Sequence, residues 1–309
     1  MTHAPHGDAL VTALRGDLPY LRVYQGKTFL IKIGGAALDG AKGVGSLVEQ
    51  VALLRALGIR VMLVQGGGEQ ISRTADALGL PVQKVGGCRV TDQGTLDVTT
   101  MVLNGTVRTR LLAALREAGT PAVGISGVEG GLVRAKKRPP RQVSDGSTVD
   151  FGLLGDIEAI EPTLVTTLLD DGYVVVVSPL SADNQGTVLN INADSVAARL
   201  AVALKVEKLL LVTDAPGILR DARDPGSLVV LTDIAGLEKL EADGAQSSGM
   251  LPKVACVREA LHGGVAGAHV ISYEAPDSLL LEIFTTEGAG ILVVREVADL
   301  RPKELAAAL

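Results

Sequence analysis

The stretch Thr28–Gly35, TFLIKIGG, decides the fold. Its first six residues are mostly apolar, with Lys32 as the one charged residue, and a pair of glycines follows directly. Similar aliphatic runs recur along the chain, at 60–65, 122–125, 173–178, 208–213 and 268–272. Near-continuous aliphatic runs of this length are typical of strands that are buried on both faces of a parallel sheet.

Longer segments with helical character lie between these runs. We predict helices near 44–57, 69–79, 94–118, 161–171, 193–204, 233–242, 251–263 and 277–285. Because strands that alternate with helices form βαβ crossovers, we expect an α/β fold, a three-layer αβα sandwich around a central, mostly parallel sheet. Two stretches rich in Gly, Asp and Ser, 130–160 and 180–190, predict hairpins instead.

The composition restricts the class of function. The 309-residue chain has a formal net charge of −6 and only 2% aromatic residues. Neither a basic surface for nucleic acid nor a base-stacking platform is therefore expected. No apolar stretch is long enough to span a bilayer, and the N-terminus does not resemble a signal peptide. We predict a cytoplasmic protein that binds neither nucleic acid nor a membrane.

The usual metal and nucleotide signatures are missing. Cys88 and Cys256 are too few for a disulfide framework and fit a reducing compartment. The four histidines have no zinc-like spacing, so we predict no metal site made of side chains. Leu21 stands where a Walker A loop would need its first glycine, and Ile71 stands where a dinucleotide fingerprint would need its third. Any phosphate site must have another design.

Two glycine clusters at strand ends are the first candidates for that site. Gly34 and Gly35 follow the first strand, and Gly67 and Gly68 follow the second. Glycines let backbone N–H groups approach an anion closely, and a helix N-terminus adds the positive end of its dipole. In an open α/β sheet, ligands bind beyond these strand ends. Lys32 supports a ligand site, because a buried lysine usually has a partner or a function; tight βα turns without a ligand are the alternative.

Later segments supply further candidates at strand ends and helix starts. The pairing of Asn190 and Asn192 with Asp194 before a predicted helix suggests more than helix capping, which is the alternative. Lys253 lies in the first turn of another helix, where its charge opposes the helix dipole, so we expect it to bind an anion. Arg89 is suited to bidentate binding of a carboxylate, with a surface ion pair as the alternative.

The turn that follows the strand 208–213 is a further candidate at the ligand-binding edge of the sheet. It contains Thr213, Asp214 and Gly217. By contrast, we interpret the polar loop 135–149 as an exposed hairpin tip.

The order of these segments resembles the amino acid kinase family over about residues 18–294. KIGG, QGGGE, CRVTD, SGVEG, NINAD, TDAPG and GMLPK follow one another as in that family, with the best match to its members that phosphorylate N-acetylglutamate. The resemblance implies the amino acid kinase fold and ATP-dependent phosphorylation of the side-chain carboxylate of N-acetyl-L-glutamate, a step of arginine biosynthesis. It also implies ATP as co-substrate and Mg²⁺ held mainly by the nucleotide phosphates.

The same resemblance implies a role for each candidate residue. Lys32 and Lys253 would stabilise the transferred phosphoryl group, and Asp194 would hold both lysines in position. The substrate would be bound by Gly67, Gly68, Arg89, Asn190 and Asn192. The phosphates and ATP would be bound by Gly34, Gly35, Thr213, Asp214, Gly217 and Gly249.

The chain departs from the family pattern at four positions near the substrate. Ile33 stands in place of a tyrosine, Gln65 in place of a histidine and Thr100 in place of a glutamate, and Val128 changes the SGKDG segment. A kinase for another amino-acid carboxylate is therefore an alternative. Other segments, around 18–29 and 269–282, resemble the kinase-like domain of N-acetylglutamate synthase. That enzyme also has a separate acetyltransferase domain, for which we expect no room in 309 residues. A further alternative is a non-catalytic, arginine-sensing domain that works with a separate acetyltransferase.

The resemblance also implies a domain organisation and an assembly. We expect an N-terminal helical extension at 1–25, an acyl-amino-acid-binding lobe at 26–180 and an ATP-binding lobe at 181–309, with one sheet continuous across both lobes. A homodimer is expected. A helix within 8–23 that links dimers into a hexamer, together with arginine feedback, is the more elaborate alternative.

Overall fold

The structure, a computed structural model, describes residues 22–39, 41–143, 146–215, 217–220, 224, 227–242, 250–285 and 288–300. Its strands are β1 (Thr28–Ile33), β2 (Arg60–Gln65), β3 (Lys84–Val85), β4 (Cys88–Arg89), β5 (Ala122–Ser126), β6 (Val133–Lys137), β7 (Arg141–Gln142), β8 (Thr148–Val149), β9 (Gly155–Ile160), β10 (Val174–Ser178), β11 (Leu180–Ala182), β12 (Val188–Asn190), β13 (Lys208–Thr213), β14 (Leu231–Asp233), β15 (Gly267–Ser272) and β16 (Gly290–Val294). Its longer helices are α1 (Ala41–Ala56), α2 (Gly68–Ala77), α3 (Gln93–Thr100), α4 (Arg108–Glu117), α5 (Thr163–Asp170), α6 (Ala193–Ala203), α7 (Ile234–Ala242), α8 (Leu251–His262) and α9 (Ser278–Phe284). The helix predicted within 8–23 lies almost wholly outside the described residues.

A central sheet of eight strands has the order β14-β16-β15-β13-β1-β2-β10-β5. All its neighbouring strands are parallel except β15 and β16, which are antiparallel. The predicted α/β fold with a mostly parallel sheet is confirmed. Two of its strands, β14 and β16, were not predicted from the sequence.

Helices cover both faces of this sheet, because successive strand residues point to opposite sides. Leu30 packs in a core with residues of α5, α6, α7 and α8. Phe29 and Ile31 pack on the other face with residues of α1, α4 and α9. The result is the predicted three-layer αβα arrangement.

A second sheet of four strands, β12-β11-β6-β9, comes from the two stretches that predicted hairpins. β6 and β9 are antiparallel, as are β11 and β12. Leu132, Val133 and Leu189 belong to the same core as Leu30. The small sheet is therefore packed onto the face of the central sheet that carries α6.

The predicted helix 94–118 is interrupted by one π-helical segment, Met101–Val107, between α3 and α4. Two polar side chains from the sheet contact this segment. Gln65 Nε2 donates to Leu103 O at 2.6 Å, and Ser178 Oγ donates to Asn104 Oδ1. The π-helical turn is thus fixed to the ends of β2 and β10. Within the described part of the chain, no helix has the length and apolar character needed to cross a membrane.

Candidate active site

The two glycine clusters meet at the carboxyl edge of the central sheet. β1 and β2 are paired in register up to Ile33 and Gln65, so the turns that follow them begin side by side. The N–H of Gly66 donates to Ile33 O at 2.8 Å, and the N–H of Gly34 donates to Val212 O at 3.1 Å. These bonds anchor the Gly34 turn between its two neighbouring strands.

Gly35 lies against the second cluster with no room for a side chain. A Cβ atom there would be 2.8 Å from Gln70 Oε1, 3.2 Å from Gly67 Cα and 3.2 Å from Gly68 N. Gln70 bridges the two turns, since its Nε2 donates to Gly35 O at 2.7 Å. Gly67 is the N-cap of α2, and the first N–H groups of a helix have no acceptor within the helix. The two turns together form a backbone surface suited to an anion.

Lys32 reaches an ion pair on the α6 side of the sheet. It occupies the same face of β1 as Leu30, and its Nζ lies 2.7 Å from Asp194 Oδ1. Both residues are more than nine-tenths buried. Asp194 is in the first turn of α6, where Asn192 Oδ1 accepts from the Asp194 N–H at 2.7 Å as the N-cap. Helix capping thus fixes the backbone that presents the carboxylate.

Lys253 joins the same group of charges from the first turn of α8. Burial and then repulsion by the Lys32 ammonium lower the pKa of Lys253, while attraction to Asp194 and Asp214 acts in the opposite direction. Lys253, which is far from Lys32 in the sequence, therefore lies close enough to Lys32 and Asp194 for both charges to affect its pKa. The predicted chemistry requires a grouping of these two lysines with one carboxylate, and their catalytic roles stay a prediction.

The turn after β13 lies near Lys253. Thr213 is buried, and its hydroxyl donates to Asp214 Oδ1 at 2.9 Å. This hydrogen bond, more than the attraction of Lys253, lowers the pKa of Asp214. Gly217 has φ +141 and faces Leu228. Gly249 lies outside the described residues.

A cavity of about 430 Å³ opens beside Lys32 and the glycine turns. Of the predicted site residues, the cavity wall contains Lys32, Gly35, Gly67, Gly68, Arg89, Asn190 and Asn192. Thr213, Asp214 and Gly217 are not part of this wall. Lys253 is not part of the wall either, but its neighbour Pro252 is.

Arg89 and Asn190 are far apart in the sequence, but both contribute to the cavity wall, and Asn190 bonds to Thr91, two residues after Arg89. Arg89 is 9% exposed, and burial lowers its pKa. Its Nη2 donates to Gly68 O at 2.8 Å and to Ser72 Oγ at 3.1 Å, whereas its buried Nη1 has no hydrogen-bond partner among the described residues. Asn190 Nδ2 donates to Thr91 Oγ1 at 3.2 Å. Arg89 therefore has a donor left for an anionic ligand.

The sequence did not indicate three other residues of the cavity wall. Lys84 and Cys88 come from the hairpin β3–β4, and Arg138 comes from the loop after β6. The loop 135–149 does contain the predicted hairpin, β7–β8, with exposed residues. Arg138 differs because its side chain is only 16% exposed. Arg138 follows the end of β6 and is out of phase with buried Val133 and Ala135, so the alternation along that strand gave no signal of its position.

The four departures from the family pattern lie outside the cavity wall. Ile33 is fully buried in the α1 face of the sheet, and Gln65 holds the π-helical segment. The hydroxyl of Thr100 donates to Leu96 O at 3.0 Å within α3, and Val128 is 43% exposed. Gln65 still contacts the wall indirectly, because its hydrogen-bond partner Leu103 is a wall residue.

A separate polar group is buried at the opposite edge of the sheet. Lys208, the first residue of β13, has its Nζ 3.0 Å from His269 Nε2. His269 Nδ1 lies 2.6 Å from Glu282 Oε1. Despite its burial, Glu282 has a lowered pKa, chiefly because of its hydrogen bond with His269. This chain of contacts joins β13, β15 and α9 and is separate from the cavity.

Comparison with known proteins adds independent information. The model of the amino acid kinase family matches residues 27–272. Acetylglutamate kinase of Myxococcus xanthus is 47% identical over 293 residues, which cover 93% of this chain and 95% of that protein. Acetylglutamate kinase of Heliobacterium modesticaldum is 43% identical over 90% of this chain and 95% of its own length.

One solved structure is also similar to this chain in three dimensions. N-acetylglutamate synthase from Neisseria gonorrhoeae, complexed with coenzyme A and N-acetyl-glutamate, superposes with a TM-score of 0.80 at 31% identity. The match covers 93% of this chain but only 64% of the synthase. The chain is thus similar to the kinases over nearly their full length and to the synthase over less than two thirds of it.

Proposed function

The chain belongs to the amino acid kinase family, and from this premise we propose that it transfers the γ-phosphoryl group of ATP to the side-chain carboxylate of N-acetyl-L-glutamate. A carboxylate oxygen forms a bond to the γ-phosphorus, the bond from that phosphorus to the β,γ-bridging oxygen breaks, and ADP leaves. The product is an acyl phosphate, which is an activated intermediate of arginine biosynthesis. The names of the relatives described above support this substrate.

The two lysines supply charge stabilisation. In phosphoryl transfer, negative charge spreads over the equatorial oxygens, and catalysis consists mainly of positioning and electrostatics. We assign Lys32 and Lys253 to these oxygens from the two sides of the transferred group. Their mutual repulsion, seen in the lowered pKa of Lys253, would be relieved when an anion arrives between them. Asp194 holds Lys32 at 2.7 Å and keeps the pair together.

The glycine turns supply neutral donors for phosphate and substrate oxygens. Because the N–H of Gly34 already donates to Val212 O, we assign the donor role to Gly35, Gly67 and Gly68 and an anchoring role to Gly34. The dipole of α2 adds partial positive charge at Gly67 and Gly68.

Arg89 and the amides bind the acceptor. The buried Nη1 of Arg89 is suited to a carboxylate oxygen, and Asn190 lies in the same cavity wall. Asn192 borders the cavity too, although its side chain also caps α6. We propose that these residues hold the part of N-acetyl-L-glutamate that is not phosphorylated.

ATP is the proposed phosphoryl donor, with Thr213, Asp214, Gly217 and Gly249 on the nucleotide side. Mg²⁺ would enter with ATP, held by phosphate oxygens, and would neutralise part of their charge. The side chains fit this arrangement, because Asp194 is engaged with Lys32 and Asp214 with Thr213. Among the described residues, no group of three potential metal-binding side chains comes together.

The ion pair of Lys32 with Asp194, with Lys253 close enough for both charges to affect its pKa, is the observation that carries this proposal. The test is a coupled assay of ADP release with ATP and N-acetyl-L-glutamate, together with trapping of the acyl phosphate by hydroxylamine. We expect ADP release that depends on the acceptor and hydroxamate in equal amount. ADP release without hydroxamate, or no acceptor-dependent release at millimolar concentration, contradicts the proposal.

The likeness to the synthase supports a second candidate, a kinase-like sensor of arginine that works with a separate acetyltransferase. A domain that no longer catalyses has no need to keep both lysines and their carboxylate together. The chain has kept all three, which favours the kinase. A panel of acceptors in the same assay, including aspartate and an acylated aminoadipate, distinguishes a kinase for another carboxylate.

We further propose how the enzyme is organised and where it works. The acyl-amino-acid-binding lobe spans 26–180 and the ATP-binding lobe 181–309, joined by pairing of β1 with β13. We propose a homodimer in the cytoplasm, where free Cys88 and Cys256 stay reduced. Hexamer formation through residues 8–23 is tested by light scattering after deletion of residues 1–20, and an unchanged mass contradicts it.

A further inference from the structure

Arg138 is a cation of the cavity wall that the sequence did not assign to the site. It follows β6, and its backbone N–H donates to Leu154 O at 2.8 Å. Its side chain is only 16% exposed and borders the same cavity as Lys32 and Arg89. This one residue of the basic loop is therefore directed towards the ligand space and not towards solvent.

Asp156 of β9 fixes the orientation of this guanidinium group. Arg138 Nε donates to Asp156 Oδ1 at 2.8 Å, and Nη2 lies 2.6 Å from the same oxygen. The contact that the structure describes for Nη1 is Cys88 Sγ at 3.8 Å. A thiol sulfur is a weak acceptor, and Nη1 carries two N–H groups. The side of the guanidinium that faces the hairpin β3–β4 thus retains donor capacity for a ligand.

The charge of the cavity wall shows what kind of ligand would use this donor. Among the described residues of the wall, four are cationic and none is a carboxylate: Lys32, Lys84, Arg89 and Arg138. Lys32 belongs to the phosphoryl-transfer end. Arg138 contacts Cys88, which directly precedes Arg89, and both arginines contribute to the wall of the same cavity. An acceptor with one carboxylate would need only the Lys32 end of the cavity.

We propose that Arg138 determines specificity by binding, together with Arg89, the carboxylate of the acceptor that is not phosphorylated. This inference rests on the proposed function. An acceptor without a second carboxylate would offer no anionic acceptor to Nη1 of Arg89 or to Nη1 of Arg138. A site built for a polar partner rejects ligands that lack it. The chain therefore selects acyl amino acids with two carboxylates.

The test compares N-acetyl-L-glutamate with its α-amide, which keeps the side-chain carboxylate. Arg141 offers a matched control, because it also pairs with Asp156, at 3.3 Å, but is 58% exposed and lies outside the cavity wall. Arg138→Gln should lower kcat/KM for N-acetyl-L-glutamate about 10- to 100-fold, through KM, as expected for the loss of a charge-assisted hydrogen bond. The kcat/KM for the α-amide and the KM for ATP should stay unchanged. Arg141→Gln should change none of these values.

The proposal is overturned if Arg138→Gln lowers kcat/KM equally for both acceptors, since that result indicates a structural role, or if it changes neither. Circular dichroism checks that the variant is folded. If Arg138→Gln does not fold, Arg138→Lys is tested instead. Lysine keeps the charge but not the planar guanidinium group, so discrimination between the two acceptors must fall to an intermediate level. Full discrimination by Arg138→Lys refutes the proposal. A wild-type chain that is inactive with N-acetyl-L-glutamate disproves the proposed function instead.

Discussion

Lys32 Nζ lies 2.7 Å from Asp194 Oδ1, in a contact between the end of a central strand and the first turn of a helix on one face of the sheet. The carboxylate is also close enough to Lys253 to affect its pKa. Asp194 thus lies near both ammonium groups, and Asp214 also attracts Lys253.

Lys32→Ala and Lys253→Ala should each lower kcat by about 10²- to 10³-fold, as is typical when one preorganised donor to the transition state is removed. Both variants should stay folded, because Asp194 keeps the other lysine nearby. The rate of ADP release at saturating substrates measures the effect. Lys136→Ala, at an exposed ion pair with Glu158, is the control and should retain full activity. Near-normal turnover in both site variants would exclude the proposed role of the lysines.

Asp194→Asn should shift the alkaline limb of the pH–rate profile to lower pH. Burial and Lys32 lower the pKa of Lys253, and Asp194 partly opposes this effect. Without the carboxylate, the pKa of Lys253 falls further, so its ammonium is lost at lower pH than in the wild type. The measurement is kcat as a function of pH on the alkaline side of neutrality. Asp150→Asn, at an exposed carboxylate, is the control and should leave the pH–rate profile unchanged. An unchanged profile for Asp194→Asn would contradict the role of Asp194 in holding Lys253.

Gly35→Ala should damage both stability and activity. The new methyl group would be 2.8 Å from Gln70 Oε1 and 3.2 Å from Gly67 Cα, and overpacking of this kind costs about 1–3 kcal/mol. Because the methyl group would push the two glycine turns apart, KM for ATP or for the acceptor should also rise. Gly45→Ala in α1 is the matched control, since its Cβ would meet nothing within 4 Å and alanine favours a helix. Chemical denaturation and steady-state kinetics measure both variants; equal stability of the two would show that the turns can move apart freely.

Glu282→Gln should destabilise the protein by about 1.5–3 kcal/mol at neutral pH, as expected for a charge-assisted hydrogen bond. Since the pKa of Glu282 lies below its ordinary value of 4.5, its ionised form contributes stability above that pH. The contribution is lost as the pH falls through the lowered pKa of the folded state. Urea denaturation of both proteins from neutral to acid pH should therefore give a difference that shrinks on acidification. Exposed Glu238→Gln is the control, and a difference that is constant with pH would mean that the charge of Glu282 is not involved.

The sequence predicted much of the central sheet, because its strands combine aliphatic runs with glycine turns. The bounds of β1, β2 and β13 are those predicted. β14 was missed because three residues beside a helix give too short a pattern. β16 was missed although GILVV is an apolar run, and its antiparallel pairing with β15 follows from tertiary contacts alone.

Much of the candidate site was predicted as well, but for a different reason. Lys32 and Lys253 were singled out because each breaks a local rule, and Asp194 because Asn190 and Asn192 precede it. The structure pairs Lys32 with Asp194 and places Lys253 near both, while their catalytic roles stay a prediction. Arg138 was missed because its burial depends on the pairing of β6 with β9 and on Asp156, which no local pattern in a basic loop reveals. The π-helical segment was missed for a similar reason, since its contacts with Gln65 and Ser178 come from distant strands.

The alternation of side chains along β1 also limits how this chain can change in length. Loss or gain of one residue before Lys32 would turn its ammonium away from α6 and into the apolar layer formed with α1 and α9. Substitution at Leu30 or Ile31 is comparatively mild, because the side-chain directions are kept. We therefore expect this strand to tolerate substitutions but not single-residue insertions or deletions.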